Sequence, residues 1–358
     1  MTAQPHTVAP AASVTTGAQS PMPLPTPRGP LSEALLRVLT HDADPAVVQR
    51  EATAVLADPG ASWCEHEDVQ LSLTCMYELH YRGLDGVDDD WEWQPDVLAA
   101  RAALERAVEA ELRERVTAPV PVGTSARAVA DALFELTSSD DGPSMSRWIA
   151  RRASREQIEE MVVHRSLYQL KEADPHTWSV PRLGGAPKVA LMEIQSDEYG
   201  AGDPERQHAA LFAQAMRGLG LDDTYGRYVD HVPAITLAHP NVMSMMGLHR
   251  RLRGAIVGHL AAFEMTSSIP NRLYGNGMRR VGLGQDVTEY FDEHVEADAV
   301  HEQIAGRDMA GRLVEQEPTL GGDVMWGAAV CLALDGWWAQ HVLDRWQADG
   351  TSLLRPLR

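Results

Sequence analysis

The sequence predicts an all-α protein, and three observations carry that expectation. Apolar residues recur with helical spacing through nearly every segment after residue 30. Alternating β-like runs are scarce, and Gly and Pro collect between the helical segments. The 358 residues, 44% of them hydrophobic, also provide ample material for a buried core. A net charge of −20 argues against a nucleic-acid backbone or an anionic membrane as partner. The three cysteines (Cys64, Cys75 and Cys331) form no CxxC pair. That disfavours both a disulfide framework and a thiolate zinc site, and it fits a reducing cytoplasm. No run approaches the length of a membrane-spanning helix.

Residues 1–30 are rich in Pro, Ala, Thr and Ser and lack the basic start and apolar core of a signal peptide, so they read as a flexible tail. Leu31–Leu39 is a short apolar-periodic helix, and Asp44-Pro45 opens the next, to Leu56. Glu67–Tyr81 and Asp96–Val116 follow, separated by an aspartate-rich loop ending in Trp91-Glu-Trp93. Thr117–Gly123, with two prolines and a glycine, is the candidate boundary. It divides an N-terminal helical extension (31–120) from a core domain (121–358). Beyond it, helices are expected at Ser125–Thr137, Met145–Arg152 and Arg155–Lys171, the last with Ser154 as N-cap and Gln157 three residues on. Further helices are expected at Pro187–Tyr199, Glu205–Leu219, Asn241–Phe263, Val287–Ala305 and Gly322–Trp346.

The chemistry concentrates in three places. His294, Asp298 and His301 stand at i, i+4 and i+7 and cover about 60° of arc on a helix. Two imidazoles and a carboxylate on one face suit a metal ion. Glu198 ends a helix that Gly200, Gly202 and Pro204 break, and His208 follows early in the next. That break lets two neighbouring helices offer one carboxylate and one imidazole to a single point. Glu264 interrupts an otherwise apolar helix, and a carboxylate facing a core needs a cation, either a metal or an arginine. Three carboxylates and three imidazoles from four helices suit two iron ions, and mixed N/O ligation favours Fe or Mn over structural zinc.

These residues resemble the heme-oxygenase-like diiron oxidase and oxygenase superfamily, the iron-containing redox enzymes. Glu193-Ile-Gln-Ser-Asp-Glu-Tyr-Gly with His208 is similar to its first ligand pair, Glu264 to its middle-helix carboxylate, and His294-x3-Asp298-x2-His301 to its closing triad. The likeness runs from about Ser125 to the C-terminus and is closest to the N-oxygenating members. It implies a heme-oxygenase-like bundle without heme, and it adds Glu172 as a further ligand, for which a cap or salt bridge near Pro175 is the competing role. It implies two Fe2+ and O2, a small amino-acid-derived substrate and an external electron donor, and it leaves a homodimer open. No catalytic residue beyond the metal ligands is singled out. The expected reaction is N-oxygenation of an amine. The alternatives are oxidative C–C cleavage, decarboxylation or desaturation of an amino or fatty acid, and a non-catalytic iron-binding protein.

Other polar residues have plainer readings. Glu193 and Asp197 are expected to orient imidazoles or to pair with arginines. His164, His249 and His259 read as satisfied structural histidines. Cys331 and the tryptophans Trp326, Trp337, Trp338 and Trp346 read as core packing. Asp88–Trp93 reads as a solvated turn, and Arg250, Arg251 and Arg253 as salt-bridge partners.

Overall fold

The computed structural model describes residues 20–40, 43–58, 60, 62–139 and 142–357, with the side chains of residues 296, 298 and 299 outside that description. The described residues form helices joined by short turns and no strand; one isolated bridge pairs Met22 with Leu84. The N-terminal region holds α1 (Pro30–Thr40), α2 (Ala46–Val55), α3 (Glu67–Glu78) and α4 (Pro95–Arg115). After the Pro-rich stretch come α5 (Ala126–Ser138), α6 (Met145–Arg151), α7 (Arg155–Gln169), α8 (Asp174–Thr177), α9 (Gly185–Glu198) and α10 (His208–Leu219). The chain continues through α11 (Ala234–Leu248), α12 (Arg253–Met265), α13 (Ser268–Arg280) and α14 (Gln285–Gln303), a π-helical turn at Ile304–Gly311, then α15 (Arg312–Gln316) and α16 (Gly321–Gln347). No described helix is long and apolar enough to cross a membrane.

Local signals account for many of the boundaries. Ser154 and Gln157 form a reciprocal capping box at the start of α7. Pro95 occupies the first turn of α4, where its missing N–H costs nothing. One expectation needs correction. Asn241–Phe263 is not one helix. The chain leaves α11 at His249, which is extended (φ −94°, ψ 113°), and re-enters helix after a 3-10 turn at Arg250–Leu252. The apolar pattern runs across this break because both helices are buried. α11 also begins before Pro240, which a reading of proline as a breaker excluded. α13 was hidden by Pro270, Gly275 and Gly277; Pro270 falls in its first turn, where it is tolerated.

Residues 20–30 of the expected tail are built into the fold, and residues 1–19 lie outside the described residues. Met22 is buried, its N–H donates to Gly83 O at 3.0 Å, and its carbonyl accepts from Asp85 N–H at 2.9 Å. Thr26 hydroxyl donates to Asp230 at 2.5 Å, and Arg28 pairs with Glu67. Composition could not reveal these long-range partners. One apolar cluster takes side chains from both sides of Thr117–Gly123, among them Leu35, Leu73, Leu104, Ile149, Met246 and Val330.

Close backbone approach sets the centre of the bundle. A Cβ on Gly258 would lie 1.8 Å from Val324 O, and one on Gly327 would lie 1.9 Å from Ala255 O. α12 and α16 therefore pack at a distance only glycine permits, which fixes the helix carrying His259 and Glu264.

Candidate metal centre

Five segments deliver the clustered residues. α7 ends at Gln169, and the turn after it carries Glu172, held by a left-handed Ala173 (φ 62°). A non-glycine residue there costs about 1–2 kcal/mol. Gln195 opposes that cost, since its Nε2 donates to Ala173 O at 3.2 Å and to Thr177 Oγ1 at 2.9 Å. α9 ends on Glu198, and the chain doubles back to start α10 on His208. Gly200 makes the return possible: its φ is +81°, and a Cβ there would lie 2.8 Å from Gln207 N. α12 supplies Glu264, and α14 supplies His294 and His301.

Two candidate ligand sets result. Glu172, Glu198, His208 and His294 offer atoms that all lie within 4.8 Å of one another, and so do Glu198, Glu264 and His301. Glu198 belongs to both. All six residues are buried. The seventh expected ligand, Asp298, has its backbone on α14, and its side chain lies outside the described residues.

Hydrogen bonds select the nitrogen that each imidazole turns inward. His294 Nδ1–H donates to Tyr290 O at 2.7 Å, which directs Nε2 at Glu172 Oε1, 3.6 Å away. His301 Nε2–H donates to Asp197 Oδ2 at 3.0 Å, which directs Nδ1 at Glu264 Oε2, 3.3 Å away. Asp197 thus orients an imidazole, the role its spacing suggested. Glu193 is exposed on α9. Tyr290 hydroxyl donates to both oxygens of Glu172, at 3.0 and 2.8 Å. Tyr290 was missed in the sequence, although it stands one turn before His294.

The donor set fits metal ions. His208 Nδ1 lies 2.9 Å from Glu198 Oε2, yet the carboxylate is off the line of a ring N–H, so the nitrogen has no hydrogen-bond partner among the described residues. Nitrogen and oxygen aimed past each other suit a shared cation. Three buried carboxylates also demand compensating charge. Burial would raise the Glu198 carboxyl, but His208 outweighs it and holds Glu198 down to about 2. Burial works against a charged His208, and Glu198 overrides it, raising the imidazole to about 9. Burial also opposes charge on His301, and Glu264 raises that ring to about 9. Burial raises Glu264.

A second buried group was not anticipated. His176 Nε2 lies 3.2 Å from His259 Nδ1, and His259 Nε2 lies 2.9 Å from His239 Nε2, with Cys331 close to the last two. Burial keeps these rings neutral, lowering His176 to about 3, His239 to about 4 and His259 well below its ordinary value. His259 is thus satisfied, as expected, and Cys331 packs in the buried core beside it. His164 bonds Thr236 and Ser352, and His249 bonds Glu105. Arg251 and Arg253 pair with Glu109 and Glu317.

A cavity of about 300 Å³ opens beside the cluster, reached by Glu172, Tyr290 and His294. Met161, Phe212 and Phe263 give it apolar walls, and Arg165, Gln169 and Asp335 give it polar ones.

Comparison with known proteins agrees with the motifs. No curated protein matches the sequence. Two crystal structures of a CADD-like protein of unknown function from Nostoc punctiforme align with it. The 2.00 Å structure is 17% identical over 61% of this chain and 96% of that one, with a TM-score of 0.48. The 1.35 Å structure is 16% identical over 63% and 98%, with a TM-score of 0.49. Residues 159–336, which include every clustered residue above, match the family described as iron-containing redox enzyme. The chain belongs to the iron-containing redox enzyme family.

Proposed function

We propose that the chain is a non-heme diiron oxygenase that N-oxygenates an amine of a small, amino-acid-derived metabolite. The observation that carries the dimetal reading is the membership of Glu198 in two ligand sets at once. A carboxylate has two oxygens and can serve one ion with each, whereas an imidazole nitrogen serves one. Glu172, His208 and His294 would hold one ion, and Glu264 and His301 the other, with Asp298 beside His301 on α14. Bound iron would supply the reduction of O2, with electrons from an external donor.

The protein's own part is positional. Tyr290 stays protonated, since burial and the adjacent Glu172 raise its hydroxyl well above the ordinary value, so it acts as a fixed donor. Its two bonds hold Glu172 at the cavity edge. Phe212, Phe263 and Phe291 shield the substrate from water, and the cavity brings that substrate against the face carrying Glu172 and His294.

The test is anaerobic Fe(II) loading of the full chain, followed by oxygen and a panel of amino acids read by mass spectrometry. Close to two irons per chain, oxygen uptake and a product that gains oxygen on nitrogen are expected. One iron per chain would end the dimetal reading. A product that loses carbon or hydrogen would replace N-oxygenation by oxidative cleavage or desaturation. Iron binding without oxygen uptake would leave an iron-binding protein.

A further inference from the structure

The cavity has two chemically distinct walls. Glu172 and His294 also border a small neighbouring cavity with Glu198 and Glu264, which marks the metal-facing side. Arg165, Gln169 and Asp335 instead border a different small cavity, with His164 and Trp338. One helix links the walls. Arg165 and Gln169 are one turn apart on α7, and Glu172 lies in the turn that follows. At 1.5 Å per residue, Arg165 sits about 10 Å along the axis from Glu172.

Arg165 stacks on Trp338, with its Cζ 4.2 Å from the ring centroid, and reaches Asp335 Oδ1 through Nη2 at 2.6 Å. That is a one-point contact between two groups capable of a two-point fork. Arg165 also bonds the Tyr274 side chain, and between these partners guanidinium N–H donors and carboxylate lone pairs are left for a third party. The Asp335 side chain is 46% exposed, which is consistent with access from the cavity. Gln169 supplies an independent sign. It is only 7% exposed, it lines the cavity, and its Oε1 meets no donor among the described residues. A buried acceptor without a donor costs free energy. Turning the amide about its last bond exchanges oxygen and nitrogen, so the acceptor can meet a ligand N–H.

We propose that this wall binds the zwitterionic head of an α-amino acid, with the carboxylate on Arg165 and the ammonium on Asp335 and Gln169. An unbranched side chain then runs towards Glu172 and His294. The inference rests on the oxygenase reading only for where the reacting end lies; the head-group site needs no metal.

The test is calorimetric titration of the full-length chain, with and without anaerobically loaded Fe(II). The probes are norleucine, methionine, lysine and arginine, their methyl esters, their decarboxylated amines, and hexanoate. At least one free amino acid should bind, with its ester and its amine at least tenfold weaker and hexanoate weaker still. Asp335→Asn and Gln169→Leu should each weaken the amino acid about tenfold and leave hexanoate unchanged. Gln169→Glu keeps the side-chain shape and an acceptor, and it should retain binding. The inference is overturned if no amino acid binds, if hexanoate or the amine matches it, or if Gln169→Glu weakens it as Gln169→Leu does. Oxygen uptake is scored separately. Binding without uptake removes the oxygenase reading alone, and uptake without binding removes the head-group site alone.

Discussion

Two histidine groups lie in the core of this protein, one held protonated and the other held neutral. His208 and His301 sit against Glu198 and Glu264, which hold both rings up at about 9. His176 and His239 sit against His259, and burial drives them to about 3 and 4. The residue type is the same and burial opposes charge on every ring, so the partner decides. An imidazole facing a carboxylate carries a proton where a metal would bring its charge. An imidazole facing another imidazole must stay neutral, and it serves as a hydrogen-bonding link between helices.

The largest expected effect comes from removing the shared carboxylate. Glu198→Ala should abolish loading of both irons and lower oxygen uptake by about a thousandfold or more, within the range such electrostatic contributions reach. Metal analysis and an oxygen electrode check this. Retention of one tightly bound iron would break the picture of a shared ligand.

The pH dependence of stability sharpens the contrast. His208 and His301 titrate above the ordinary value of 6.5 in the fold, so their stabilisation is complete below pH 6.5 and disappears as pH rises through 9. His176 and His239 titrate below it, so theirs is complete above pH 6.5 and disappears as pH falls through 4 and then 3. Each imidazole contributes at most about 1.4 kcal/mol per pH unit. Iron-free protein should therefore be most stable near pH 6.5. Iron loading should flatten the alkaline limb, because the metal takes the place of protons on the first pair, and the added stabilisation should shrink towards acid as protons compete for those ligands. Thermal melts across pH, with and without iron, decide this, and an alkaline limb that stayed as steep with iron would separate the first pair from the metal.

Breaking the neutral chain should cost less. His259→Gln removes the link between His176 and His239 and should destabilise by about 1–3 kcal/mol while iron content stays near two per chain. Chemical denaturation and metal analysis on one sample test both halves. A fall in iron content would show that the two groups are coupled.

The smallest effect is expected at Tyr290. Phenylalanine removes both donors to Glu172 and should weaken iron affinity about tenfold at the first ligand set, with little change in fold stability. Competition against a chelator reads this directly. Unchanged affinity would place Glu172 outside the ligand set.

Much of the architecture was open to inspection in one dimension. Helical period, the capping box at Ser154 and the glycine break after Glu198 are local, and each acts within a few residues. The spacing of His294 and His301, and the placing of Glu198 beside a break before His208, follow from the same short-range geometry. The errors had local causes too. Pro240 and Pro270 look like breakers unless their position in a turn is known, and the burial of α11 and α12 hides the gap between them.

Other features depend on contacts between distant segments. That Glu198 serves two sets, that His176, His239 and His259 from α8, α11 and α12 line up, and that Gln169 is left without a donor all follow from how helices pack. So do the charge states, because desolvation is set by atoms hundreds of residues away in sequence. Sequence period tells which side of a helix a residue occupies. Only the packed bundle, through glycine contacts such as Gly258 on Val324, decides what that side meets.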